Sequence, residues 1–334
     1  MRKIILFMFL MFCVSSLAFA GDEAPSVKLG GLLELDLHNN VYSIADSTVS
    51  FRQHQAVLFL HATSGEKIKG VFAPAFGYGG RDIDVWNAYV DYMFSPQCTL
   101  RFGVDLVPFG RWEVERISIH ERDLRIRPNM LYKGLFSHTA MGVYALGSFE
   151  TDYGDIVYRI GAINNEDIVD KKLTLREDTT NGKTVVGRIG VDTPYNLNAG
   201  VSFYSGQSFN NKVKVSDKTL YGADLTYRVK RLKLAGEYIS GSIQPVAGNS
   251  YKGLGYYMQA GYMLTDKVTA SYRYDKNDKN DSAASDSMDE GIEHLLGVSF
   301  RPEPNYVLFF DYRVHTSEKA TKRNKFIFSI GLTF

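Results

Sequence analysis

The chain has 334 residues and carries 38 Lys and Arg against 37 Asp and Glu, a formal net charge of +1 that points to no nucleic-acid partner. Its 21 Tyr, 21 Phe and 30 Gly against only 9 Pro are unusual for a soluble enzyme. Of its two cysteines only Cys98 lies beyond the first twenty residues, which excludes an internal disulfide and with it a disulfide-stapled secreted domain.

In chain order, residues 1–20 read as a cleaved signal peptide. Arg2 and Lys3 form a basic start, Ile4 to Leu17 is almost unbroken apolar, and Ala18-Phe19-Ala20 is an A-x-A cleavage site before Gly21. The competing reading, an uncleaved membrane helix, suffers from the shortness of the run. No later stretch approaches the length of a spanning helix, so 21–334 is expected to form a single domain built from strands.

Period-2 alternation predicts strands near 26–37, 50–61, 66–75, 83–94, 98–105, 139–148, 153–163, 183–192, 195–205, 218–229, 231–241, 254–264, 266–275, 291–301, 304–314 and 324–334. In the last of these Phe326, Phe328, Ile330, Leu332 and Phe334 share one face, and Lys325, Ser329, Gly331 and Thr333 the other. Connections after even-numbered strands are short, as in Ser95-Pro96-Gln97. Those after odd-numbered strands are longer: 38–49, 76–82, 106–138, 164–182, 206–217, 242–253, 276–290 and 315–323. Short periplasmic turns alternating with long extracellular loops mark a transmembrane antiparallel β-barrel of the outer membrane. The fold class is therefore all-β, a barrel of about 16 strands, with 14 or 18 as the alternatives because a miscount must come in pairs. A secreted soluble sandwich or adhesin is the rival reading, with apolar faces turned to a core. An outer-membrane enzyme would need a Ser/His pair at one height, and no such pair is apparent.

Sixteen strands enclose more space than side chains fill, which implies a water-filled lumen. The alternation turns Arg52, Lys69, Arg101, Arg159, Arg188, Arg228 and Arg273 into it, with Asp91 and Asp105 among the opposing carboxylates. Lys233, Lys267, Arg301, Arg313 and Lys325 share that face, as do Glu34, Asp36, Asp155, Asp192, Asp224, Glu237, Glu293 and Asp311, so that twelve cations stand against ten carboxylates. A weak anion preference follows.

Three stretches resemble the outer-membrane porins grouped with the phosphate-selective porins O and P: Phe51-Arg52-Gln53-His54-Gln55, Asp84-Val85-Trp86-Asn87-Ala88-Tyr89-Val90, and Leu100-Arg101-Phe102-Gly103 running into Pro108-Phe109-Gly110. The resemblance covers roughly residues 27–145. It implies sixteen strands, a homotrimer, and a loop after the fifth strand folded into the pore. One departure matters: Arg52 is followed by Gln53, His54 and Gln55 where relatives often carry further arginines, which weakens any claim to tight phosphate selectivity.

The connection 106–138 is the longest, and a structureless loop of that size is usually functional. Its Arg111, Glu113, Glu115, Arg116, Glu121, Arg122, Asp123, Arg125, Arg127 and Lys133 are the candidate constriction and selectivity residues. Charges in a narrow low-dielectric passage select ions by sign, and Arg stays charged and forks onto oxyanions. The loop's acidic members are expected to pair with its arginines, leaving the other arginines to meet solutes. The expected partners are small hydrophilic solutes or anions, and outer-membrane lipid and lipopolysaccharide; no cofactor is implied. The carboxylate-rich run from Asp275 to Glu290 lacks the spacing of a calcium loop, leaving a solvated loop or divalent bridging to lipopolysaccharide. His54, His120 and His138 are too scattered for a metal cluster.

Overall fold

The computed structural model describes residues 25–41, 48–77, 82–112, 118–119, 121–128, 138–169, 172–174, 182–278, 291–316 and 323–334. The expected signal peptide, 1–20, lies outside the described residues. Among the described residues sixteen strands form one ring: β1 (Ser26–Val41), β2 (Thr48–Ser64), β3 (Ile68–Gly77), β4 (Asp82–Ser95), β5 (Cys98–Leu106), β6 (Thr139–Thr151), β7 (Gly154–Asn164) and β8 (Lys183–Asp192) make the first half. The second half is β9 (Leu197–Asn210), β10 (Val213–Val229), β11 (Leu232–Pro245), β12 (Tyr251–Met263), β13 (Val268–Asp278), β14 (Gly291–Glu303), β15 (Tyr306–Thr316) and β16 (Arg323–Thr333). Each pairs antiparallel with the next, and β1 pairs with both β2 and β16, so the sheet closes on itself. Closure leaves the ring itself without an edge strand and excludes the sandwich reading. Two short strands, Glu166–Val169 and Lys172–Thr174, branch from the ring, the first lying parallel to β9.

Alternation explains which face is which. Phe51, Phe102, Leu296 and Phe310 stand exposed on the outside, whereas their neighbours Arg101, Leu295 and Asp311 are buried inside. The wall is not a uniform ribbon. β2 bulges opposite Glu34 and Leu35, so that His54 and Gln55 are both buried rather than alternating. β4 bulges opposite Ala73 and Pro74, and there Trp86 and Asn87 are both buried. A strand proline is tolerated at such a point because its missing N–H breaks the ladder where pairing already lapses.

One predicted connection is corrected. The expected twelve-residue loop 206–217 is instead the continuation of β9 and β10, joined by a tight turn at Asn211 and Lys212 with φ of 47° and 69°. Positive φ at both central residues is the geometry of a type I′ hairpin, whose twist matches the strands. Polar residues had hidden these strand ends: Gln207 donates to Asp217 at 3.1 Å and Lys214 lies 2.8 Å from Asp217. A bulge between Ser208 and Phe209 leaves both of them buried, so the alternation that identifies strands lapses while the hydrogen-bond ladder continues.

Candidate functional site

The chain leaves β5 and turns inward rather than outward. Val107 N–H donates to the His138 carbonyl at 2.9 Å, which pins the two ends of the loop together. Gly110 then adopts φ of +73°, the left-handed region, and its N–H donates to Ser202 Oγ at 2.9 Å. A Cβ at this position would lie 2.5 Å from Glu237 Oε2, so the turn requires glycine on both counts. Glu237 itself accepts the Trp112 N–H and the Tyr257 hydroxyl. Phe109 is fully buried in a cluster with Tyr144, Tyr204 and Leu220 of the lumen wall. Burial of such side chains stabilises by about 1.5–3 kcal/mol each.

Beyond residue 118 the loop runs along the wall and bonds to one strand after another. Glu121 forms an ion pair with Arg228 of β10, and its carbonyl accepts Lys233 Nζ of β11 at 2.6 Å. Asp123 lies 3.1 Å from Lys233 and accepts Gln259 of β12 at 3.3 Å. Arg122 reaches Glu34 of β1 at 2.8 Å, while its carbonyl accepts Arg301 of β14. Arg125 forks onto Asp36 of β1 at 3.1 and 2.5 Å. Ile126 N–H donates to Asp311 of β15 at 2.8 Å, its carbonyl accepts Arg273 of β13 at 2.8 Å, and Arg127 donates to Gln55 of β2 at 3.1 Å. Between these bonds Ile119 packs with Leu32, Trp86, Val307 and Phe309, and Leu124 and Ile126 pack with Leu295 and Ile327. The loop is latched to the wall by alternating charge pairs and apolar anchors.

This arrangement reassigns the loop's arginines. They were expected to pair within the loop or face solutes. Arg122, Arg125 and Arg127 are instead buried against the wall, because Glu34 and Asp36 are fully buried carboxylates that need a cation. Among the described residues of the loop, Glu121 is the carboxylate that stays partly open. Burial pushes its carboxyl up, but the Arg228 bond and the charges of Arg228, Lys233 and Arg111 outweigh this and hold it below its ordinary value. Arg111 also stays partly open, 3.5 Å from Asp192. Glu113, Glu115, Arg116, His120 and Lys133 lie outside the described residues.

The wall candidates divide in the same way. Arg101 is buried, bonded to Asp91 at 2.7 and 2.8 Å and to Asp105 at 2.6 Å, with its guanidinium 3.5 Å from the centre of the Tyr89 ring. Arg159 shares Asp105 at 2.6 Å, and Arg188 forks onto Asp224 at 2.8 and 2.6 Å. Arg273 is fully buried beneath the loop. Lys69 is exposed towards the short-turn end, in register with Asp91 and Thr63. Arg52 also binds Asp36, at 3.2 Å, through the Oδ2 that accepts from Arg125.

Sequence reasoning missed the apolar lumen residues. Their signal was present in runs such as Val307-Leu308-Phe309-Phe310 and Phe326-Ile327-Phe328, where both faces are apolar and the inner face must therefore be covered. It also missed a second inward segment: Glu166 is buried, accepting Tyr204 at 3.2 Å, Ser208 at 2.9 Å and Lys218 at 2.5 Å. Among the described residues no group of His, Cys, Asp or Glu could hold a metal ion.

No protein-family model matches the chain, and no curated protein matches it either. Solved structures do. The anion-selective porin from Comamonas acidovorans superposes with a TM-score of 0.68 at 14% identity over 93% of this chain and 100% of that one. OmpF of Salmonella typhi, in complex with daunomycin, gives 0.69 at 12% identity over 92% and 97%. The trimer form of OmpT, an outer membrane protein of Vibrio cholerae, gives 0.64 at 14% over 93% and 100%. The fold is thus that of the sixteen-stranded porin barrels.

Proposed function

We propose that the chain is an outer-membrane porin: a water-filled channel for passive diffusion of small hydrophilic solutes, with a preference for anions. Residues 1–20 serve as a cleaved export signal and 21–334 form the barrel. The closed ring, its apolar exterior and the in-folded loop support a membrane channel, since only a closed sheet satisfies its backbone in lipid. The same features, with the porin neighbours, favour conduction over catalysis. The neighbour solved in a trimer form supports assembly as a homotrimer.

One observation carries the anion preference. Cations and carboxylates on the lumen face are similar in number, but in three pairs of the wall they differ in exposure. The side chains of Asp36, Asp105 and Glu293 are 0–3% exposed, whereas their partners Arg52, Arg159 and Arg313 are 28%, 19% and 26% exposed. Each pair hides its acid and shows its base, so a permeating ion meets a positive wall. In a passage lined by low-dielectric protein such a bias raises the local concentration of counter-ions. The expected selectivity residues are therefore Arg52, Arg159 and Arg313, with Arg122, Arg125 and Arg127 setting the aperture by holding the loop.

Detergent-extracted protein refolded into planar lipid bilayers is expected to give stepwise conductance, and liposomes bearing it are expected to swell in small sugars. Liposomes that stay impermeable to both ions and sugars, with the protein demonstrably folded, would overturn the proposal.

A further inference from the structure

The outer face of β12–β14 breaks the pattern of a lipid-facing wall. His294, an ionisable residue, points outward and is exposed. It sits among tyrosines: Tyr272 Oη lies 2.8 Å from its Nδ1, and the Tyr274 ring lies edge-on with centroids 5.4 Å apart. Tyr256 packs against Tyr274 at 6.0 Å, and Tyr256 pairs in register with Lys276, the next outward residue beyond Tyr274. Lys252 is exposed higher on the same face of β12. Asp278 lies one outward position above Lys276, level with Leu254 and below Lys252, so Lys276 and His294 are the basic groups nearest the furrow. With Nδ1 engaged by Tyr272, Nε2 is the histidine nitrogen that can serve a ligand. The cluster stands towards the end with the long connections.

Directly below it, sharing Tyr272, the wall is recessed. A groove of about 470 Å³ runs along β12–β15, lined by Ala260, Ala270, Tyr272, Leu296, Val298 and Phe310 among others, and its lining is mostly apolar. Ala270 pairs with Tyr262 and Ala260 with Tyr272, so small side chains alternate with large ones and leave a furrow between them.

We infer that this face is a specific site for a phosphate-bearing lipid of the outer leaflet. The headgroup phosphate sits against Lys276, His294 and the tyrosine hydroxyls, and one acyl chain lies in the furrow. Charge complementarity selects the occupant, because a cation, an imidazole and phenolic donors suit a phosphate, and the contiguous furrow requires that the phosphate carry an acyl chain. The inference rests on the barrel lying in an outer membrane and not on its conducting.

The test is native mass spectrometry of the refolded full chain titrated with bisphosphorylated lipid A, and in parallel with phosphatidylcholine and inorganic phosphate. Lipid A adducts are expected to survive ejection, and K276E with H294A is expected to weaken binding about tenfold, the size expected for charges lost near a lipid surface. A270F, which fills the furrow without touching the charges, is expected to weaken lipid A binding as well. Heat-modifiable migration confirms that each variant is folded, and K276Q alone replaces the double variant if that one is not. Bilayer conductance is expected to be unchanged in all of them, which separates failure here from failure of the channel proposal. Undiminished binding by the folded variants, equal binding of phosphatidylcholine, or binding of inorganic phosphate as tight as lipid A would overturn the inference.

Discussion

Replacing Arg125 by alanine is expected to release the loop from the wall and enlarge the channel. Asp36 is fully buried, and Arg125 forks onto it while Arg52 shares its Oδ2. Removing one partner of a buried ion pair costs roughly 3–5 kcal/mol, mostly because the remaining charge is left without its counter-charge. The barrel ladder does not depend on this contact. The cheaper response is for the segment around residues 121–128 to detach and let water reach Asp36. Single-channel conductance of R125A should therefore rise and become noisier, while the heat-resistant barrel band persists on a gel. Asp36→Asn should loosen the latch too, since its amide offers one acceptor oxygen where Arg125 uses two and leaves the buried guanidinium without its counter-charge. Conductance and noise of R125A equal to those of the unmodified protein would show that the latch does not set the aperture.

The second large effect concerns sign rather than size. Arg52 and Arg313 are the most open of the cations that cover a buried lumen carboxylate, Asp36 and Glu293 respectively. Reversing both to glutamate removes two positive groups and adds two negative ones, next to carboxylates already present. Two unit charges 4 Å apart interact by about 4 kcal/mol at an effective dielectric of 20. The variant should thus switch from the proposed anion preference to a cation preference under a salt gradient. R52Q with R313Q should lie between. Because Arg125 still holds Asp36, the loop should keep its place and conductance should change far less than in R125A. The two experiments separate aperture from selectivity.

Much of this was readable before any coordinates. Strand number and the position of the long loop followed from period-2 alternation and turn residues, because a wall between lipid and water imposes opposite chemistry on successive side chains. The inward bend was legible in Pro108-Phe109-Gly110, where the glycine has a left-handed φ and a large aromatic follows the proline. The pairing was not legible. Glu34 and Asp36 lie 88 and 89 residues from Arg122 and Arg125, and nothing local to either partner marks the match. The closely spaced loop acids Glu121 and Asp123 made an internal pairing attractive, yet they serve the cations Arg228 and Lys233 of the opposite wall. The bulges at His54 and Trp86 were equally hidden, since one extra residue shifts a side chain to the other face without changing composition. These are long-range geometric facts, and they decide which charges a solute meets.

The central claim is that the wall pairs at Asp36, Asp105 and Glu293 hide the acid and show the base, which gives the channel its preference for anions. The most direct test is the zero-current potential of the unmodified channel in a planar bilayer under a potassium chloride gradient. The account expects a potential of the sign that chloride sets, shrinking as salt is raised and the fixed charges are screened. A potential of the sign set by potassium would contradict it.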